Sequence, residues 1–244
     1  MKVRKRSVIA ISGIDTDIGK TAVTGMIARS LLDQGRDVFT QKMVQTGCVS
    51  VSEDILEHRR IMNITPTGED LSGLSCPYLF PDPCSPHLAA ELSGTSIDSA
   101  KIFRATEELS RLYDILLVEG AGGLSVPLTL DYTFLDYLVE YRYPLALVSS
   151  PRLGSINHTL NAMEILSARN ITLVAILYNL HGFFDEVTAM VADSRRVIQH
   201  YMEKLSIDSE IIDVHSPFVI SDDFKLAVVR MLERGLTVCC ENSR

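Results

Sequence analysis

A lysine and a threonine placed where a strand turns into a helix, with glycines around them, can hold phosphate. Residues 13–21 read GIDTDIGKT, between an apolar strand-like run and a helix-like stretch. That setting separates a phosphate-binding loop from a chance match. Successive backbone N–H groups there can wrap phosphate oxygens, and the helix N-terminus adds a favourable partial charge. Lys20 supplies a point charge for the β and γ phosphates, and the Thr21 hydroxyl can ligate magnesium. The loop is a variant: the usual pattern has four residues between its first glycine and the Gly-Lys pair, whereas Gly13 and Gly19 enclose five. The segment predicts binding of a nucleoside triphosphate with magnesium.

Three more residues could join that chemistry. Magnesium bound to phosphates prefers oxygen and usually takes one or two carboxylates. Glu119 ends the apolar run DILLVE (114–119), and Gly120, Ala121, Gly122 and Gly123 follow, so backbone can approach a ligand closely there. Ligands of open α/β sheets bind at that carboxyl edge. A charged residue in this place could also simply mark where the strand meets the surface. Asp54 falls near the start of the helix after the second strand, and taken alone reads as a solvated acid favoured by the helix dipole. Lys42 follows the second strand, DVFTQ (37–41). A lone lysine there is usually a surface residue, yet at this edge it could stabilise a transferring phosphoryl group.

The elements that must position these groups alternate along the chain. Strands are predicted at 8–12, 37–41, 114–119, 144–150 and 171–179, aliphatic and without strict polar alternation, as strands covered on both faces read. Helices are predicted near 20–34, 52–62, 98–112, 132–141, 155–169 and 183–204. This rhythm predicts an α/β fold of P-loop NTPase type, a mainly parallel sheet with helices on both faces, as one domain over residues 1–244. Residues 63–96 break the rhythm with Pro66, Pro77, Pro81, Pro83 and Pro86 and read as a long surface excursion, with a short helix opening near Ser85 and Pro86. From about Ser206 the pattern is hardest to read.

The 244 residues are 46% hydrophobic and 22% charged, an ordinary globular composition. A net charge of −8 offers no basic field for nucleic acid; the basic residues 2–6 read as a solvated lead-in. No apolar run is long enough to cross a bilayer and no signal peptide is evident, so a cytoplasmic protein is expected, with no membrane partner. Cys48, Cys76, Cys84, Cys239 and Cys240 are odd in number and lack metal-ligand spacing, as in a reduced chain. The sequence neighbours Cys239 and Cys240 would make a poor bridge.

GIDTDIGKT, KMVQTG (42–47), SPH (85–87), VEGAGG (118–123) and LGSINH (153–158) together resemble dethiobiotin synthetase, in order and approximate spacing along residues 8–180. The loop and VEGAGG are shared with other P-loop enzymes; KMVQTG with LGSINH is far more specific. The resemblance implies an ATP-dependent ligase that joins carbon dioxide to 7,8-diaminononanoate and closes a ureido ring through a carbamate and a carbamic–phosphoric anhydride. It implies catalytic roles for Lys42 and Lys20, and magnesium ligation by Thr21, Asp54 and Glu119. It implies nucleotide contacts from Asp17, Ile18, Gly19, Lys20, Thr21 and Ala22, from Gly120, Ala121 and Gly122, and adenine recognition by Asn179. Thr46 would touch the diamine or its carbamate. Gly154, Ser155, Ile156 and Asn157 would form a helix start holding the substrate carboxylate, supplied across a homodimer interface. Asn157 and His158 could instead merely cap and decorate a helix start. His58, His181, His200 and His215 fall in no ligand spacing, and His87 is assigned no catalytic role.

The chain departs from the family pattern at Ile14 for a common Thr, Met43 for a common Pro, and Leu180 for a common acid. Residues 211–219, IIDVHSPFV, stand where a Gly-x-x-Pro-like stretch near the base is common. Two other readings share the loop. An amidotransferase-type cofactor synthase would normally add a glutaminase domain with a reactive cysteine, for which 244 residues leave no room. A partition-type ATPase usually carries an extra lysine early in the loop, where this chain has Ile14 and Asp15.

Overall fold

The computed structural model describes residues 7–181, 188–215 and 220–241. The basic residues 2–6, the start of the helix expected from 183, and residues 216–219 of the base-proximal stretch lie outside them.

The chain leaves strand β1 (Ser7–Gly13) through the glycine loop into helix α1 (Lys20–Asp33) and returns along β2 (Val38–Lys42). A short β3 (Gln45–Thr46) precedes α2 (Glu53–Met62). Then come α3 (Gly68–Leu71), β4 (Leu79–Phe80), α4 (Pro86–Leu92) and α5 (Ser99–Leu112). The central strand β5 (Ile115–Gly123) is followed by β6 (Pro127–Thr129), β7 (Tyr132–Thr133) and α6 (Phe134–Tyr141). The chain ends through β8 (Leu145–Ser149), α7 (Ser155–Ala168), β9 (Leu173–Asn179), α8 (Thr188–Lys204), β10 (Ile211–Val214) and α9 (Asp222–Glu241).

Six strands form one sheet in the order β10-β9-β8-β1-β5-β2, every neighbouring pair parallel. Successive side chains of a strand face opposite sides, so both faces need cover. Leu116 and Val118 of β5 join Phe39, Leu147 and Ile176 in one core cluster. Ile115 and Leu117 join Ile9, Ile11, Val148 and Leu177 on the other side. The predicted α/β fold with a parallel sheet is therefore the observed one. The register sets Glu119 beside Ile11 of β1 and beside Lys42 of β2, so three strand ends meet at one edge.

Four expectations need correction. Lys42 is the last residue of β2 and does not follow it, because its strand stays paired with β5 that far. Strand β5 does not stop at Glu119 but runs on to Gly123, since glycines let it keep pairing beside Gly13. The helix expected from 132 starts at Phe134, because Thr133 accepts a bond from the Asp136 N–H while Asp136 accepts from the Thr133 N–H, a capping box. Residues 63–96 are more than a surface excursion. Lys42 N–H donates to Ser75 O and Gln45 N–H to Tyr78 O, and Tyr78, Phe80, Ala89 and Ala90 enter the core. The helix near Ser85 and Pro86 is α4, with Pro86 in its first turn, where a missing N–H costs nothing.

Candidate active site

Strand β1 ends at Gly13 and delivers the loop to the start of α1, whose N-cap is Gly19 at φ 94°. A side chain on Gly19 would press on the Asn179 side-chain amide, and the positive φ itself favours glycine. Lys20 folds back over the loop and its ammonium donates to Asp15 O at 2.9 Å. Burial and the nearby Lys42 charge lower the Lys20 pKa against the pull of Glu119, Asp54 and Asp17.

The carboxyl ends of β2 and β5 bring the other charged groups together. Glu119 is completely buried, so it is no surface marker. Its Oε1 accepts from Lys42 Nζ at 2.8 Å and from the Thr21 hydroxyl at 3.1 Å. Lys42 Nζ also lies 2.6 Å from Asp54 Oδ2 and donates to Gly120 O at 3.3 Å. Asp54 sits in the first turn of α2. There Ser52 caps the helix by accepting from Ile55 N–H at 3.2 Å, and its hydroxyl donates to Gln45 Oε1 at 2.9 Å. Burial works against the Glu119 charge, but the Lys42 ammonium and a hydrogen bond from His58 outweigh it and hold the carboxyl well below the usual range. Burial likewise works against the Lys42 charge, and Glu119 and Asp54 outweigh it, so its pKa rises.

These groups open on a cleft of about 1010 Å³ that Lys20, Thr21, Lys42, Thr46, Asp54 and Glu119 line, together with Ala121 and Gly122. Asp17, Gly19 and Ala22 line it too, and with Ile18 and Asn179 they also border a second hollow of about 390 Å³. Asn179 ends β9, donates from Nδ2 to Ile18 O at 2.9 Å and accepts the His181 N–H at 3.0 Å. Gly120 lies behind the cleft wall, where a Cβ would fall 2.5 Å from the Phe134 ring. The structure does not bring Gly154, Ser155, Ile156 and Asn157 to either hollow. They start α7 with Gly154 at φ 92°, beside a Leu153 that is 95% exposed. The Ser155 N–H already donates to Arg152 O at 3.0 Å.

Oxygen donors alone, two carboxylates and a hydroxyl, converge around Lys42, which suits magnesium. No group of three or more His, Cys, Asp or Glu among the described residues could hold a metal without help.

Residues 7–205 match a family described as an AAA domain. The chain is 46% identical over 211 residues to the ATP-dependent dethiobiotin synthetase BioD 2 of Pasteurella multocida (strain Pm70), covering 86% of this chain and 98% of that one. It is 48% identical over 216 residues to the ATP-dependent dethiobiotin synthetase BioD of Chlorobaculum tepidum, covering 88% and 90%. The chain belongs to the ATP-dependent dethiobiotin synthetase family. It is thus an ATP-dependent ligase with a P-loop fold. The MinD cell division protein of Aquifex aeolicus superposes with a TM-score of 0.52 at 17% identity, covering 93% of this chain and 96% of that one. That likeness is one of fold.

Against the dethiobiotin synthetase pattern, Met43 in place of proline has a structural counterpart. Its N–H donates to Glu119 O at 3.0 Å, a bond that proline cannot make. Sequence reasoning missed His58. This residue is completely buried, with Nε2 2.9 Å from Glu119 Oε2 and Nδ1 3.1 Å from Thr40 Oγ1. Its signal was the spacing from Asp54: four residues along one helix put both on one face. Cys48, Cys76 and Cys84 carry free thiols. Burial pushes the Cys76 thiol up to about 12, far from a nucleophile's range. Among the described residues no helix is long and apolar enough to cross a membrane.

Proposed function

We propose that this chain, as one ligase domain over residues 1–244, joins CO2 to 7,8-diaminononanoate and closes a ureido ring while splitting ATP to ADP and phosphate. The observation that carries the reading is Lys42, a buried ammonium held between Asp54 and Glu119 where it lines the cleft. A buried ion pair is weak evidence of a role in stability, and this one opens on the cleft beside the phosphate loop. Family membership supplies the substrate class.

In the first step an amine nitrogen adds to CO2 and loses a proton, giving a carbamate. A carbamate oxygen then attacks the γ-phosphorus, and the bond to the β–γ bridging oxygen breaks, releasing ADP. The second amine attacks the carbamoyl carbon, phosphate departs, and the amine proton passes to solvent. Positioning and charge neutralisation dominate such phosphoryl transfer. Lys20 and Lys42, both lining the cleft, stabilise the phosphates and the developing anhydride. Thr21, Asp54 and Glu119 would hold magnesium, which when bound neutralises phosphate charge and polarises the γ-phosphoryl group.

Thr46, on β3 at the cleft wall, contacts the diamine or its carbamate. Asn179 reads the adenine from the second hollow while steadying the loop. Gly154, Ser155, Ile156 and Asn157 lie away from the cleft of their own subunit, which supports a homodimer in which α7 of one copy presents its N-terminus to the substrate carboxylate in the other. The enzyme acts in the cytoplasm. The test supplies MgATP and bicarbonate with and without 7,8-diaminononanoate. Phosphate release should require the diamine and match dethiobiotin formed; release indifferent to the diamine would sink the ligase reading.

A further inference from the structure

Behind Glu119, away from the cleft, runs a line of buried polar groups that the chemistry above does not use. It starts at α3, where the Thr67 N–H donates to Asp70 Oδ2 at 2.8 Å. Asp70 also accepts both Arg59 Nε and an Arg59 terminal nitrogen, each at 2.8 Å. The other terminal nitrogen of Arg59 donates to Thr40 Oγ1 at 2.7 Å, and the guanidinium lies 4.0 Å over the Phe39 ring. Thr40 Oγ1 lies 3.1 Å from His58 Nδ1, and His58 Nε2 lies 2.9 Å from Glu119 Oε2. Asp70, Arg59, Thr40, His58 and Glu119 are all buried.

The partners fix the direction of the links at Arg59 and at Glu119. Arginine only donates, so the Thr40 oxygen accepts from Arg59 and its O–H is free to donate to His58 Nδ1. The ring donates from Nε2 to Glu119, a carboxylate that accepts. The two oxygens of Glu119 are thereby divided. Oε1 faces Thr21 and Lys42 in the cleft, and Oε2 is committed to His58.

We propose that His58 is a positioning residue for the magnesium-binding carboxylate. It holds Glu119 so that Oε1 alone is offered to the ion, and Thr40, Arg59 and Asp70 hold the ring in turn. Buried charges are expensive unless every member is satisfied, and a hydrophobic core would serve stability as well. What this network provides is a fixed orientation of one oxygen. Outer partners of this kind tune metal affinity nearly as strongly as the ligands themselves. The relay also ties the site to the proline-rich segment, through Asp70 of α3.

This inference rests on Glu119 being a magnesium ligand. The test therefore measures Mn2+ binding to the full chain with ADP, by electron paramagnetic resonance, beside steady-state kinetics. His58→Leu should weaken Mn2+ about 10- to 100-fold and lower kcat, with KM for the diamine unchanged. His58→Gln, whose amide can still donate to Glu119, should recover most of the affinity. Thr40→Val should show a smaller loss of the same kind, and it carries the test should His58→Leu fail to fold. Glu119→Gln is the control: if it binds Mn2+ like the parent protein, the ligand assignment fails. Loss of the ion in Glu119→Gln, with full affinity kept in folded His58→Leu or Thr40→Val, overturns the relay.

Discussion

Lys42 carries the sharpest residue-scale expectation, since both of its acid partners also belong to the cleft. Lys42→Ala should cut kcat by roughly 10²–10³-fold, the scale seen when one preorganised charge-stabilising donor is removed, while ADP still binds. Near-normal turnover in stopped-flow phosphate release would remove Lys42 from the mechanism. A second expectation concerns pH. Burial opposes the Asp70 charge, but the hydrogen bonds and charge of Arg59 outweigh it and lower its pKa. A depressed acid contributes stability that is fully present above its unfolded value and drains away as pH falls through the folded one. Asp70→Asn should therefore destabilise by about 3–5 kcal/mol near neutrality, as breaking a buried pair does. The gap between the two proteins should narrow below about pH 4, the ordinary carboxylate range. Urea unfolding at several pH values checks this; a gap that widens in acid would contradict it. At this scale Lys42 alone read equally as a surface residue, whereas the loop residues and Glu119 were legible because strand ends and glycines announce them. His58 and Arg59 were not, because their partners Thr40, Asp70 and Glu119 are distant in sequence and only folding brings them together.

Elements decide how firmly those side chains are aimed. Helix α2 carries Asp54, His58 and Arg59, and its cap Ser52 is tied both to Ile55 and to Gln45 beside β3. Ser52→Ala should cost about 1 kcal/mol, the usual loss of an N-cap, or about 2–4 °C in Tm. An unchanged melting curve would show that the cap is not holding the helix. The central strands and most helices were readable from aliphatic runs and turn residues. The two-residue strands were not, since β3 and β4 exist only by pairing with each other. Helix α9 was legible but missed. Phe224, Ala227, Val228, Met231 and Leu232 recur at the spacing of an amphipathic helix and pack against the sheet, with Lys225, Arg230, Glu233 and Arg234 between them. The proline-rich segment was hard to read because its core contacts, from Tyr78, Phe80, Ala89 and Ala90, are few and set among exposed residues.

For the whole molecule the proposed homodimer predicts that an exposed apolar residue beside the α7 start is covered in solution. Leu153 is that residue. Leu153→Glu should shift sedimentation from dimer to monomer and abolish diamine-dependent turnover together. A parent protein that sediments only as monomer at assay concentration would contradict the shared site. The central claim is that ATP is spent on a carbamate oxygen. In that chemistry one oxygen of the released phosphate comes from carbon dioxide. A short reaction with ¹⁸O-labelled CO2, MgATP and 7,8-diaminononanoate, read by mass spectrometry of the phosphate, measures it directly. The account predicts one ¹⁸O in each phosphate formed with dethiobiotin; phosphate carrying no label, in a reaction that still yields dethiobiotin from labelled CO2, would contradict it.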